Sequence, residues 1–162
     1  MIVSQNSATY RLGNFLDGLL RPVLQRHAEP TTFVDGTDFM RQLNHYAVEE
    51  HRLHPRTAFT TIEISNFYTM VNHETILITL KQFLSDHLSI PGIDDISIPQ
   101  IIKLTSLFLN NNRFYYKQKI YSFTKGGPCS SLLTDTLLNI YAFEWQKSLL
   151  KKDFRDGEIY GR

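Results

Sequence analysis

Apolar residues recur at spacings of three and four over most of the chain, and this period is typical of amphipathic helices. The spacing predicts helices over residues 9–27, 37–50, 76–84, 98–110 and 130–151. Thr37 is the expected N-cap of the second helix. Pro22 is expected to kink the first helix or to end it early, because proline lacks an amide hydrogen. Asp135 lies near the start of the last helix, where the helix dipole favours an acid.

Two segments depart from the helical period. From Ala58 to Ile64 the side chains alternate, with Glu63 on the face opposite Ile62, which predicts a half-buried strand. Residues 113–124 are rich in tyrosine and phenylalanine and predict a β-hairpin that turns near residues 117–119. The expected fold class is therefore mixed α/β (α+β), rich in helix and with a small antiparallel sheet.

The composition limits both size and location. The chain has 162 residues, of which 42% are hydrophobic, enough to bury roughly two thirds of its unfolded surface. We therefore expect one domain or part of one. Cys129 is the single cysteine, so no intrachain disulfide can form and a reducing, intracellular compartment is expected. No apolar run reaches the about 18 residues of a membrane span and no signal-peptide pattern is present, so no membrane contact is expected.

Basic residues are concentrated in the predicted hairpin, although the formal net charge of the chain is only +1. Arg113, Lys117, Lys119 and Lys125 are interspersed with aromatic residues, and residues 96–134 contain no acid. Cations among aromatics can neutralise phosphates and stack bases, so this segment is a candidate nucleic-acid-binding surface. An ordinary hairpin with an aromatic core face and a solvated basic face would show the same pattern.

Glu63 is the candidate metal ligand of the sequence. A carboxylate at the end of a central strand is well placed to hold Mg²⁺, which prefers oxygen ligands. A single acid also leaves open a purely structural, hydrated carboxylate. His51 and His54 have a ligand-like spacing, but no zinc signature accompanies them, so no zinc site is expected.

Residues 125–131 connect the predicted hairpin to the last helix. Gly126 and Gly127 allow a backbone or a base to approach closely, and free amides at a helix N-terminus attract anions. The Gly-Lys-Ser/Thr ending of a Walker A loop is absent. The segment is therefore either a nucleotide-binding loop or a simple turn. Cys129 is expected to be an inert small residue, because the sequence assigns it no histidine or asparagine partner.

Two of these segments resemble motifs of reverse transcriptases. Residues 61–69, Thr-Ile-Glu-Ile-Ser-Asn-Phe-Tyr-Thr, resemble motif A. Residues 125–133, Lys-Gly-Gly-Pro-Cys-Ser-Ser-Leu-Leu, which lead into Asn139-Ile140-Tyr141, resemble motif B. The opening of the chain, from Ile2-Val3-Ser4 to Leu24, is similar to the segment after the fingers strands of Penelope-like retroelement polymerases. The resemblance extends over nearly the whole chain.

This resemblance implies a role for each matching residue. Glu63 would be the catalytic metal ligand of motif A, and Tyr68 would be the steric gate that excludes ribonucleotides. The nucleotide-binding residues Gly126, Gly127 and Pro128 would lie under the templating pair and the incoming nucleotide. The basic hairpin would then follow the template and primer. The implied cofactor is Mg²⁺, the implied partners are an RNA template, a DNA primer and deoxynucleoside triphosphates, and the implied location is nuclear.

The sequence departs from the family pattern at three places. Motif A normally has aspartate where Glu63 stands, and motif B commonly begins with glutamine where Ser122 stands. The Tyr-x-Asp-Asp sequence of motif C is not found in the chain. We therefore expect a fragment that is inactive as an isolated chain, with the remainder of the polymerase polypeptide missing.

The expected organisation is a partial right-hand polymerase in one domain. Fingers and palm helices occupy residues 1–57, the motif A strand and turn 58–72, further helices 73–112, the basic aromatic hairpin 113–125, and the motif B loop and helix 126–151. The expected function is template-directed DNA synthesis on RNA by two-metal nucleotidyl transfer. The alternatives are a decayed or repurposed reverse-transcriptase-like module that binds nucleic acid or a protein without catalysis, and an unrelated α/β binding protein.

Overall fold

Helices dominate the structure and enclose one hydrophobic core. The computed structural model describes residues 8–89, 92–153 and 158–162, so the family-like opening at residues 2–4 lies outside the described residues. In chain order the helices are α1 (Tyr10–Ala28), α2 (Gly36–Asn44), α3 (Phe67–Met70), α4 (His73–His87), α5 (Ile98–Asn110) and α6 (Leu132–Asp153). No helix within the described ranges has the length and hydropathy needed to cross a membrane.

The core lies where α1, α4, α5 and α6 meet, since α1 and α4 each pack against both α5 and α6. Its fully buried side chains recur at the helical spacing that the sequence predicts, and include Leu16, Leu20, Ile76, Leu80, Phe83, Leu84, Ile101, Leu109, Leu133 and Leu137. Truncation of a buried leucine in such a core to alanine costs about 2–5 kcal/mol. Burial of these helix faces is therefore what positions α6 against α1.

Pro22 does not end α1 early, and the N-cap of α2 differs from the prediction. α1 continues through Pro22 to Ala28, because Pro22 and Gly18 are both exposed and water can reach the Gly18 carbonyl that proline leaves without a donor. The N-cap of α2 is Asp35, whose side chain accepts a hydrogen bond from the Asp38 amide at 2.8 Å. The prediction that Thr37 caps this helix was therefore wrong, because the helix begins at Gly36 and the Asp35 carboxylate already accepts a hydrogen bond from its first turn.

The strand predicted over residues 58–64 does not form, and the segment has no regular secondary structure. A strand needs a neighbouring backbone to accept and donate its hydrogen bonds, and no strand pairing among the described residues involves this segment. Phe59 and Ile62 are 67% and 62% exposed, so neither alternating face is buried. Glu63 is likewise exposed.

The β-structure consists of two short antiparallel hairpins within the described residues. Strands β1 (Gly92–Ile93) and β2 (Ile96–Ser97) pair between α4 and α5. Strands β3 (Arg113–Tyr116) and β4 (Lys119–Ser122) form the predicted hairpin. Its turn at residues 117–118 has positive φ angles, which the two-residue hairpin turn requires. The expected helix-rich α+β class is confirmed.

Candidate functional site

Tyr68 lies on α3, a single helical turn that follows the irregular segment 58–64 and precedes α4. The turn follows Asn66, which has a φ of 55° in the left-handed region that asparagine tolerates better than most residues. Asn72 then caps α4, its side chain accepting a hydrogen bond from the Thr75 amide at 2.7 Å. Two asparagine-dependent turns therefore determine where α3 lies.

The glycine loop, residues 125–128, lies directly against α3. The Gly127 amide donates to the Tyr68 carbonyl at 3.0 Å, and the Gly126 amide donates to the Val71 carbonyl at 2.8 Å. The Nε2 atom of His73 lies 3.0 Å from the Gly126 carbonyl oxygen. Backbone hydrogen bonds thus join the segment that resembles motif A to the segment that resembles motif B.

Both glycines of this loop are required by close approach. Gly126 has a φ of +52°, and a Cβ there would overlap the Tyr68 carbonyl oxygen and lie 2.7 Å from its carbon. A Cβ on Gly127 would lie 2.6 Å from the Oγ1 atom of Thr134. Pro128, the next residue, is buried. The three predicted nucleotide-binding residues of the loop are therefore also tightly packed residues.

The Tyr68 hydroxyl reaches the first turn of α6. It donates a hydrogen bond to Oδ1 of Asp135 at 3.0 Å, and the Asn139 amide group donates to the same oxygen at 3.2 Å. Burial raises the pKa of the Tyr68 phenol, and the hydrogen bond to Asp135 and its negative charge raise this pKa further. The phenol is therefore held in its neutral, donating form.

A buried carboxylate on α1, Asp17, is linked to the hydrogen bond between Tyr68 and Asp135. Asp17 accepts hydrogen bonds from Nε and Nη2 of Arg21, both at 3.0 Å, and from the Thr136 hydroxyl of α6. The hydrogen bond with Asp17 raises the pKa of Arg21, an effect that burial opposes. The Arg21 Nη2 atom also lies 3.7 Å from Oδ2 of Asp135. An ionic network therefore runs from α1 through α6 to Tyr68.

Glu63 does not share this environment. It is exposed at the end of the unpaired segment, and among the described residues no group of three or more His, Cys, Asp or Glu side chains could hold a metal ion. Asp135, in the first turn of α6, is engaged with Tyr68 and Arg21. A magnesium centre needs several oxygen ligands, so the described residues supply one candidate carboxylate and do not complete a Mg²⁺ site.

The hairpin projects its aromatic residues away from the core. The strand register places Phe114, Tyr116 and Tyr121 on one face, where the Phe114 and Tyr121 rings stack at 5.5 Å. The opposite face carries Tyr115 and Ile120, which are 70% and 71% exposed. The aromatic face thus packs largely on itself, and the alternative of an aromatic face buried in the core does not describe this hairpin.

The basic residues of the hairpin surround this exposed surface. Arg113, Lys117, Lys119 and Lys125 are all exposed. The Lys117 ammonium lies 5.4 Å from the centre of the Tyr116 ring, which is a cation–π distance. The four predicted cations therefore lie with open tyrosines on one hairpin and its exit, as a nucleic-acid surface requires.

Sequence reasoning missed the residues that support Tyr68. The Asp17–Arg21 pair has the i, i+4 spacing of a helix ion pair and could have been found from the sequence. Its contacts with Thr136 and Asp135 could not, because they depend on how α1 packs against α6. His73 gave no signal at all. Comparisons with protein-family models, curated proteins and solved structures found no match for this chain.

Proposed function

We propose that this chain is part of the fingers and palm of a reverse transcriptase and forms one wall of its nucleotide site. In this proposal Tyr68 lies beside the sugar of the incoming deoxynucleotide, and Gly126, Gly127 and Pro128 lie under the base pair. The reaction joins the primer 3′-oxygen to the α-phosphorus of the nucleotide and releases pyrophosphate. The fold class alone does not carry this proposal.

The observation that carries it is the contact between α3 and the glycine loop. The resemblance assigns both segments to one nucleotide, so they must lie side by side, and the Gly127 amide donates to the Tyr68 carbonyl at 3.0 Å. Because both glycines lack a side chain, the loop packs directly against the Tyr68 carbonyl and Thr134, and in this proposal that contact fixes Tyr68 beside the nucleotide. Tyr68 adds a bulky ring at the edge of the same surface.

The basic hairpin supplies the second part of the proposal, a path for template and primer. Its exposed cations can neutralise phosphates, and Tyr115 offers an open ring for base stacking. The hairpin is followed in sequence by the glycine loop. At Lys125 the loop forms a β-bridge with Asn72, the residue that precedes α4. A strand bound along the hairpin would therefore arrive at the proposed nucleotide site.

Glu63 would contribute the one carboxylate that this chain offers to a Mg²⁺ centre. Because the described residues do not complete that centre, we expect no primer extension from the 162 residues alone. This expectation separates nucleotide binding, which the chain would retain, from catalysis, which it would not.

A binding module without catalysis is the second candidate, and the exposure of Glu63 favours it. Glutamate carries one more methylene than aspartate, which displaces its carboxylate where catalytic geometry is tight. A decayed or repurposed domain would keep the hairpin surface and lose the response to nucleotide.

One binding experiment distinguishes the two candidates. A fluorescent RNA–DNA primer–template, whose primer ends in a dideoxynucleotide and whose next template base is uracil, is titrated with the chain in Mg²⁺ at several salt concentrations. A polymerase site predicts affinity that falls steeply with salt and rises when dATP is added, but not when dCTP is added.

Each other outcome contradicts one of the candidates or the expected inactivity. Salt-dependent binding that no nucleotide changes would support the binding module. Absence of salt-dependent binding would contradict the polymerase proposal and a nucleic-acid-binding module, and would leave only a module that binds a protein. Primer extension by the isolated chain, tested with an unblocked primer, would contradict the expected inactivity.

A further inference from the structure

Hydrogen bonds hold both the backbone and the side chain of Tyr68. Its backbone carbonyl accepts the Gly127 amide hydrogen bond, and its hydroxyl donates to Asp135 at 3.0 Å. A tyrosine ring in an open site can move about two side-chain torsions, whereas a ring with an anchored hydroxyl has one position. Nothing in the proposed steric role of Tyr68 requires a hydroxyl, because a phenylalanine ring has the same bulk.

The Asp135 carboxylate is itself held on both oxygens. Oδ1 accepts the Tyr68 hydroxyl and the Asn139 amide, and Oδ2 faces Arg21 at 3.7 Å. Arg21 is in turn oriented by its three hydrogen bonds to the buried Asp17. The acceptor of the Tyr68 hydroxyl is therefore tied to the helical core rather than to a loop.

We propose that Asp135 is a positioning residue for sugar discrimination, which holds the Tyr68 ring where it admits a deoxyribose and excludes a 2′-hydroxyl. This role rests on the proposed nucleotide-binding function. A displacement of about 1 Å is enough to degrade a steric selection of this kind. The direction in which the Tyr68 phenol pKa is raised, through burial and Asp135, agrees with the contact.

The test uses the 162-residue chain with ¹³C-labelled tyrosine rings. The Tyr68 signal is assigned by its loss in Tyr68→Phe. The chain is bound to the dideoxy-terminated primer–template in Mg²⁺, and dATP or ATP is titrated against the ring signals. The wild-type chain is expected to bind dATP more tightly than ATP. In Asp135→Ala the ratio of the two affinities is expected to fall by about fivefold, the equivalent of one net hydrogen bond.

Three further variants isolate the cause. Asp135→Asn keeps an acceptor for the phenol and should retain most of the discrimination. Tyr68→Phe removes only the hydroxyl and should lower the ratio as Asp135→Ala does, with no further loss in the double variant. Asp86→Asn makes the same change in charge on the exposed surface of α4 and should change nothing.

Each outcome supports or overturns a stated part. An unchanged affinity ratio in both Asp135→Ala and Tyr68→Phe would overturn the positioning role and leave the nucleotide site standing. Equal wild-type affinity for dATP and ATP would overturn both the gate and its positioning. Failure of the wild-type chain to bind either nucleotide would overturn the proposed function, and with it this role. A pH titration of the Tyr68 ring signal that Asp135→Ala leaves unchanged would show that the contact itself is absent.

Discussion

Gly126 lies so close to the backbone of Tyr68 that no side chain fits between them. Its φ of +52° and the overlap of any Cβ with the Tyr68 carbonyl act together. Gly126→Ala must therefore separate the glycine loop from α3 or distort both. We expect it to lower the free energy of unfolding by at least about 2 kcal/mol, measured by urea denaturation.

Gly18 provides the matched control for this substitution. It lies in the middle of α1 on the solvent-exposed side, and a Cβ there would meet no atom within 4 Å. Gly18→Ala is expected to stabilise the chain by about 0.5–1 kcal/mol, because alanine loses less backbone entropy in a helix. If both substitutions changed stability equally, the close approach at Gly126 would not exist.

The buried carboxylate of Asp17 should be worth more than a surface ion pair. Asp17→Ala removes the acceptor of the Thr136 hydroxyl and of the hydrogen bonds that Arg21 donates to Asp17, while the Arg21 hydrogen bond to the Leu132 carbonyl can remain. Arg21 is partly exposed and can rehydrate, so the expected loss of stability is about 1–3 kcal/mol rather than the full cost of a buried, unpaired charge. Urea denaturation of the variant measures it.

The ion pair between Arg41 and Asp38 is the control, since the Arg41 side chain is largely exposed. Arg41→Ala is expected to leave the unfolding midpoint unchanged, because surface pairs contribute little. The two carboxylates are similarly shielded and the arginines differ, with Arg21 34% and Arg41 79% exposed. An effect as large as that of Asp17→Ala would mean that the exposure of the arginine does not distinguish the two pairs.

His87 makes stability depend on pH. Burial lowers the pKa of this histidine, and the nearby Lys147 and His27 lower it further, while Glu144 and Asp86 oppose the shift. The folded chain therefore binds the proton less readily than the unfolded chain, whose histidine titrates near about 6.5. The free energy of unfolding should be highest above that pH and fall as the pH drops through it.

His87→Gln tests this dependence by thermal unfolding between about pH 5 and 8, the range in which histidine titrates. Glutamine stays neutral and can still accept a hydrogen bond from Lys147, which lies 3.1 Å from the His87 ring nitrogen. The variant should lose less stability than the wild type on acidification. His54→Gln, at an exposed position, should follow the wild-type curve. An identical pH profile for all three chains would exclude His87 as the cause.

The exposed ring of Tyr115 should contribute to the binding of single-stranded RNA. Tyr115→Ala removes the open ring and should weaken binding by about 1–3 kcal/mol, the contribution of one stacked base. Tyr10→Ala, an exposed tyrosine on α1, is its control and should have no effect. Fluorescence anisotropy measures both, and equal affinities would rule out stacking on Tyr115.

Lysine substitutions test the charges of the same hairpin. Lys119→Ala should reduce the slope of log affinity against log salt by about 0.7 for each phosphate that the lysine neutralises. Lys81→Ala removes an exposed cation from α4 and should leave the slope unchanged. If Lys81 mattered as much as Lys119, binding would reflect net charge and no particular surface.

The spacing of apolar and aromatic residues predicted the long helices and the hairpin. The apolar spacing on α1, α4, α5 and α6 reports directly which faces are buried, and the hairpin turn at residues 117–118 follows from its position between two aromatic runs. Alternation over residues 58–64 failed as evidence for a strand. It describes what a strand would bury, but it says nothing about whether a partner backbone is present.

The candidate site could be predicted only in part. The family resemblance put Tyr68 and the glycine loop into one function, yet their backbone hydrogen bonds depend on the packing of α6 against the rest of the core. The contact between Asp135 and Tyr68 was hidden for the same reason. An acid in the first turn of a helix has a sufficient local explanation in the helix dipole, so its contact with Tyr68 leaves no trace in the sequence.

The packing of α1 against α6 has a consequence for the order of folding. The Asp17–Thr136 contact joins residues 119 positions apart, so α1 cannot complete its packing until α6 has been synthesised. Contacts of such separation form slowly, because the intervening chain loses entropy when its ends meet. The adjacent helices α4 and α5 can pair early. We therefore expect Leu16 and Leu20 to remain open to chaperones until synthesis has passed α6.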